Sequence, residues 1–160
     1  MSIENSYSCI FMKRYLGFFF FVAAISFSCE HLPISRGNQA ENVVDSFSHA
    51  YFLYQFERAM TFTTDESHKW LVYAASNVHQ EDLDIMRSQK TSTSVEVEEV
   101  EAPENDTVGY AVVSINNYLV MDTIGEAGHI RDNVLYRLDM VKRGGKWKIK
   151  MDGLPKEMKR

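Results

Sequence analysis

Hydrophobic residues follow three successive regimes along this chain. From Leu16 to Phe27 they are almost contiguous (LGFFFFVAAISF), from Asn38 to Ser88 they recur at intervals of three and four, and beyond Lys90 they alternate with polar residues. An interval near 3.6 marks a helix with one buried stripe, and an interval of 2 marks a strand with one buried face. The expected fold class is α+β, with N-terminal helices packed on a curved antiparallel sheet.

Asn38 and Glu41 have the spacing of a capping box, so a helix is expected to start there. On a wheel of about 100° per residue, Val43, Phe47, Ala50 and Tyr54 form one stripe, with Asp45, Ser48 and His49 opposite. Phe52, Leu53 and Phe56 then make the second half apolar nearly all round, which requires a covering layer. Thr63 and Glu66 repeat the capping spacing ahead of Trp70, Leu71, Ala74 and Ala75, and predict the helix that supplies it. A third, shorter helix is predicted over 80–88, carrying Leu83, Ile85 and Met86.

After Lys90, Val95 and Val97 alternate with Glu96 and Glu98, and Glu99 shifts the phase so that Val100 resumes it, which predicts a bulge. Residues 102–106 (APEND) read as a turn, 107–115 as a central strand apolar on both faces, 118–121 as a short strand and 125–128 as a mobile loop. Gly144-Gly145 suits a two-residue hairpin turn with positive φ at both positions. Folding there pairs Met140 with Ile149 and Leu138 with Met151 on an apolar face that Trp147 and Tyr136 extend. The same register sets Asp139 opposite Lys150 and Arg137 opposite Asp152, and a one-residue slip loses both matches.

The contiguous segment gives the chain an address. Twelve residues at ~1.5 Å rise fall well short of the ~30 Å hydrocarbon core of a bilayer, so the run reads as a secretory signal behind Lys13 and Arg14. Met12-Lys13-Arg14 is itself a normal signal start, and translation is expected to begin at Met12. Ser26-Phe27-Ser28-Cys29 resembles a relaxed bacterial lipobox of the Bacteroidetes type, with Ser26 and Phe27 where Leu and a small residue are usual. Ordinary cleavage after Ala24-Ile25-Ser26 is the competing reading. Cys9 lies in the removed segment, which leaves Cys29 as the one mature cysteine, without an internal disulfide partner, and lipid attachment is its expected fate. Two or three acyl chains, at ~0.8 kcal/mol per buried methylene, anchor where one is marginal. The expected organisation is a signal over 1–28, a tether over 29–37, one α+β domain over 38–155 and a charged tail over 156–160. The eight tether residues after Cys29 (EHLPISRG) reach at most about 29 Å, which keeps the domain close to the membrane.

Composition narrows the function classes. A chain of 160 residues makes one ordinary core, and 8 Gly, 3 Pro and 2 Cys exclude collagen-like and disulfide-stapled classes. A net charge of -5, from 17 basic against 22 acidic residues, argues against nucleic acid as a partner, since binding it needs a basic face. The five histidines lack H-x-x-x-H spacing and the acidic run Glu96, Glu98, Glu99, Glu101, Glu104 and Asp106 lacks a calcium-loop pattern, so no metal and no cofactor is expected. The glutamates are expected to solvate an edge strand. Asp106-Thr107-Val108 and Asp122-Thr123-Ile124 resemble short O-glycosylation sites of exported Bacteroidetes proteins, at Thr107 and Thr123.

Three helices followed by such a sheet, with Val43-Val44 and Phe47 on the first helix and a closing Gly-Gly-Lys-Trp-Lys-Ile strand, resemble the nuclear-transport-factor-2-like superfamily. More narrowly, the chain is similar to that superfamily's small bacterial lipoproteins of unknown function. The resemblance implies a cone around a cavity, with the sheet's outer face available for homodimer formation. Phe47, Tyr51, Tyr54, Trp70, Tyr136 and Trp147 would line that cavity. It also implies two kinds of role, because such cavities hold a small apolar ligand in some members and do proton-transfer chemistry in others. The first expectation is a lipid-anchored, non-enzymatic domain of the cell envelope that binds a small apolar ligand or a protein partner. One alternative is an isomerase or polyketide-cyclase type of enzyme, drawing on Tyr51, Tyr54, Tyr73 or Tyr136 with His49, His68 or Asp84. The other is an inhibitor or immunity lipoprotein with an acidic face.

Overall fold

The computed structural model describes residues 39–121 and 127–158, all within the unit Ile34–Arg160. The signal segment, Cys29, the tether, Asn38 and Thr123 lie outside the described residues, as do residues 125 and 126 of the loop expected over 125–128. Four helices come first: α1 (Gln39–Phe52), α2 (Phe56–Met60), α3 (His68–Ser76) and α4 (Gln80–Ser88). Six strands follow: β1 (Ser94–Glu101), β2 (Val108–Asn116), β3 (Tyr118–Val120), β4 (His129–Arg131), β5 (Val134–Arg143) and β6 (Lys146–Lys150). The protein is α+β, with helices preceding an antiparallel sheet of order β1-β2-β5-β6, beside which β3 and β4 form a separate ribbon. Among the described residues no helix is long and apolar enough to cross a membrane.

The first helix is shorter than the stripe predicts. It ends at Phe52, Tyr54 takes a left-handed conformation (φ 60°), and α2 starts afresh at Phe56. Gln55 N donates to Ala50 O (2.7 Å) and Tyr54 N to Tyr51 O (3.0 Å), the paired bonds of a Schellman cap. Glycine is the usual residue at that position, and here a tyrosine occupies it. The buried stripe is accordingly rotated: Ala40, Val44, Phe47, Ser48 and Tyr51 face inward, and Ser48, expected on the polar side, is fully buried.

The second predicted helix also starts later than its capping spacing suggests. Thr63 forms a parallel bridge with Ile149, Ile149 N donates to Phe62 O (2.9 Å) and Thr64 N donates to Ile149 O (3.0 Å). These sheet-like bonds hold residues 62–64 extended along β6, so Thr63 cannot cap; a short 3-10 turn, Asp65–Ser67, leads into α3 instead. The third helix spans 80–88 as predicted, yet its most buried residue is Asp82, while Leu83, Ile85 and Met86 are half-buried.

The sheet follows its alternation. Val95, Val97 and Val100 of β1 pair with Ile115, Val113 and Ala111 of β2, and the register shifts between Val97 and Glu99, at the predicted bulge. At the hairpin Gly144 and Gly145 have φ of 56° and 78°, and Met140 pairs with Ile149 and Asp139 with Lys150 as the turn chemistry requires. The ladder ends there, so the expected pairs Leu138–Met151 and Arg137–Asp152 do not form within it. The ion pairs run along the chain, Lys150 to Asp152 (2.8 Å) and Arg137 to Asp139 (3.3 Å). Arg137 also lies 4.1 Å over the Tyr110 ring.

Ala111, Val113, Ile115, Val134, Leu138, Met140, Trp147 and Ile149 are buried on the inner face of the sheet, and α1 packs on β1, β2 and β6. At the two edges the polar positions carry opposite charge: Glu96, Glu98, Glu99 and Glu101 on β1, and Lys146, Lys148 and Lys150 on β6. Thr107 is exposed just before β2.

Candidate functional site: an aromatic cavity

Several aromatic side chains converge where the last turn of α1 meets β3 and β5 without filling the space between them. At the end of the sheet where α1 terminates, this leaves a cavity of about 290 Å³. Six aromatic residues line it: Tyr51 and Phe52 from the last turn of α1, Tyr54 and Phe56 from the cap beyond it, Tyr118 from β3 and Tyr136 from β5. Ala74 and Asn77, at the C-terminal end of α3, and Val120 and Met121, after β3, contribute further wall. An engineered apolar cavity of about 150 Å³ accepts one benzene. The space is therefore about twice that, enough for a small organic molecule.

The rings meet at steep angles. Tyr51 and Phe52 stand at 82°, Phe52 and Tyr118 at 85°, Tyr54 and Phe56 at 90°, and Tyr118 and Tyr136 at 89°, with centroids between 5.1 and 6.1 Å apart. Tyr54 is fixed most firmly, since its hydroxyl donates to the Leu119 carbonyl at 2.5 Å and its ring stacks on Tyr118 at 6.0 Å. These contacts offset the cost of its left-handed backbone, of order 1–3 kcal/mol for a residue in such a region. Tyr51, by contrast, makes no hydrogen bond through its hydroxyl among the described residues. Burial pushes the Tyr51, Tyr54 and Tyr118 phenols well above the ordinary tyrosine range; neighbouring phenols add to the shift at Tyr51 and Tyr118, while at Tyr54 the Tyr118 phenol opposes it and Tyr136 and Asp82 add to it. All three remain neutral O–H groups throughout the physiological range.

A strap forms one wall of the cavity. After β6 the chain runs through Leu154, Pro155 and Glu157, all in the lining, and rejoins the sheet where Glu157 bridges Tyr136 and Met158 N donates to Leu135 O (2.8 Å). Glu157 accepts both Arg131 guanidinium nitrogens at 2.6 and 2.7 Å, a bidentate pair that ties the strap to β4. Residues 157 and 158, in the segment expected to be a charged tail, are thus bonded to the sheet.

The expected lining residues separate. Tyr51, Tyr54 and Tyr136 surround the cavity; Phe47 and Trp147 lie in the solid core; Trp70 sits beside Lys69 and Arg143 in a separate surface groove. None of the expected bases reaches the cavity. His49 is exposed and bonded to Asp45, His68 Nε2 meets the Met60 carbonyl (3.2 Å), and Asp84 is exposed with Gln80 and Arg87. Tyr73 is 40% exposed on α3. The buried carboxylate beneath the site is Asp82, and both its oxygens are engaged: His79 N donates to Oδ2 and Gly128 N to Oδ1, each at 2.8 Å. Asp82 therefore pins the start of α4 to the chain entering β4. Sequence reasoning missed Tyr118, Glu157, Arg131 and Asp82. For Asp82 a local signal exists, since its spacing from His79 is that of a helix N-terminal cap.

No cluster of His, Cys, Asp or Glu among the described residues has the arrangement of a metal site. Compared with known proteins, the chain matches no family model and no curated protein sequence.

Proposed function

We propose that this is a lipid-anchored cell-envelope protein whose folded domain holds a small, weakly hydrated ligand in the aromatic cavity. The observation that carries the reading is a cavity of about 290 Å³ walled by six aromatic side chains and bordered by the strap after β6. A concave aromatic pocket with placed polar groups, here the tyrosine hydroxyls, Asn77 and Glu157, is a usual ligand site. Tyr54 supports it further, because a bulky residue kept in a strained conformation marks a place where the side chain matters. Helices covering the inner face of an antiparallel sheet, with the cavity between them, are compatible with the cone of the nuclear-transport-factor-2-like superfamily. The proton-transfer reading has weaker support, since His49, His68 and Asp84 lie away from the cavity and Asp82 has both oxygens occupied. Anchoring rests on Cys29 at the end of the apolar signal.

Native mass spectrometry of the protein recovered from cells tests the binding role. A bound small molecule released on unfolding is the expected result, and a bare chain from every growth condition tried removes it. Cell fractionation tests the anchor separately: Cys29→Ala is expected to release the protein from membranes with the loss of its acyl mass. An unchanged mass and membrane partition would refute lipid attachment.

A further inference from the structure

The wall chemistry of the cavity narrows what it can hold. Each ring carries a negative π face, and rings meeting at 82° to 90° present such faces from more than one direction to a guest in the corner between them. The only charged residue lining the cavity among the described residues is Glu157, a carboxylate, and no lysine, arginine or histidine joins it there. Arg131, which pairs with Glu157, is not part of the lining. Asp82 is the other nearby carboxylate, fully buried and close enough to act on Tyr54. The lining itself thus carries one carboxylate, paired with Arg131 behind it, and no cation, and the ring faces add a preference for a cation over an anion.

A buried cation must also shed its water. An ammonium with N–H groups would need several converging acceptors, whereas the Tyr54 hydroxyl is committed to the Leu119 carbonyl and both Glu157 oxygens accept from Arg131. A quaternary ammonium has no N–H donors and is weakly hydrated, so aromatic faces alone can replace its surroundings. The volume agrees, since about two benzene-sized bodies accommodate a trimethylammonium group and a short substituent. Resting on the cavity-binding reading above, we propose that the cavity is a receptor for a quaternary ammonium group, with Tyr51, Phe52, Tyr54, Phe56, Tyr118 and Tyr136 as the aromatic cage. Glu157 is the carboxylate the ligand meets at the strap. The group has two sources in an envelope, a free trimethylammonium solute or the choline headgroup of a lipid.

The test compares choline with its uncharged isostere 3,3-dimethylbutan-1-ol, which replaces the nitrogen by carbon. Both are titrated into the full-length protein in a maltoside detergent and followed by tyrosine chemical shifts. Choline is expected to bind at least tenfold tighter than the alcohol. Glu157→Gln should weaken choline severalfold and leave the alcohol unchanged; should that variant fold poorly, the choline-to-alcohol ratio on the unaltered protein decides alone. A third titration with dihexanoylphosphatidylcholine assigns the source, tighter binding than choline indicating a lipid headgroup and weaker binding a free solute. Equal or stronger binding of the alcohol overturns the ligand class. If a molecule without a quaternary nitrogen co-purifies, the class fails while the binding role stands. If nothing binds and nothing co-purifies, both fall together.

Discussion

The two ends of strand β5 obey the same alternation and end in different materials. Toward the Gly144-Gly145 turn, Leu138 and Met140 meet Ile149 and the first turns of α1, where Val44 and Phe47 are wholly buried. Toward the start of the strand, Tyr136 meets Phe52, Tyr118 and the 290 Å³ space. Side chains at the first end interlock at the density of a protein interior, whereas the rings at the second border an unfilled space. The difference teaches that a binding space here needs no special loop. It arises where the inward positions change from branched carbon chains to phenols.

Deleting a ring from the solid end tests the contrast most severely. Phe47→Ala should lower the unfolding free energy by ~3–5 kcal/mol in a denaturant titration, because the closely packed surroundings cannot collapse around the gap. A loss below ~1 kcal/mol would mean that this end is loosely packed as well.

High pH attacks the open end instead. Tyr51, Tyr54 and Tyr118 have folded-state pKa values raised above the unfolded value near 10. The folded protein then holds protons that the unfolded chain releases, so the stabilisation is complete below pH 10 and is lost as the pH rises beyond it. Three such groups allow a slope approaching ~4 kcal/mol per pH unit in that window. Absorbance from these three tyrosines should therefore rise together with unfolding; their ionisation in the native state would contradict the burial of the rings.

Asp82→Ala should cost ~2–4 kcal/mol, since it leaves the buried N–H of Gly128 and that of His79 without their carboxylate. Hydrogen exchange would show the loss concentrated in α4 and β4. The smallest effect has the opposite sign. The Ser48 hydroxyl is buried without a hydrogen-bond partner, so Ser48→Ala should raise stability by ~1 kcal/mol. A decrease in thermal unfolding temperature would reveal a partner for that oxygen.

What the sequence disclosed and what it concealed follow from the range of the interactions. The bulge at Glu99 and the turn at Gly144-Gly145 are written in neighbouring residues, and so are the strands they join. The break after Phe52 is not, because Tyr54 adopts a conformation that its own chemistry disfavours and that contacts with Leu119 and Tyr118 stabilise from 65 and 64 positions away. Thr63 fails as a cap for a similar reason: its segment pairs with β6 near the other end of the chain. Tyr51, Tyr54 and Tyr136 were recognisable as members of an aromatic lining. Their partners Tyr118 and Glu157 were hidden, since nothing local tells that a short ribbon and the residues after β6 border the same space.

The glutamates of β1 and the lysines of β6 make the four-stranded sheet an electrically polarised plate, negative along one rim and positive along the other. A polarised plate in a non-uniform field experiences torque as well as force. Next to an anionic bilayer it would turn its lysine rim inward and its glutamate rim to the solvent, within a few tens of ångströms at low salt and about 8 Å at physiological salt. Were the domain anchored as proposed, its charge layout would orient it as well as its leash.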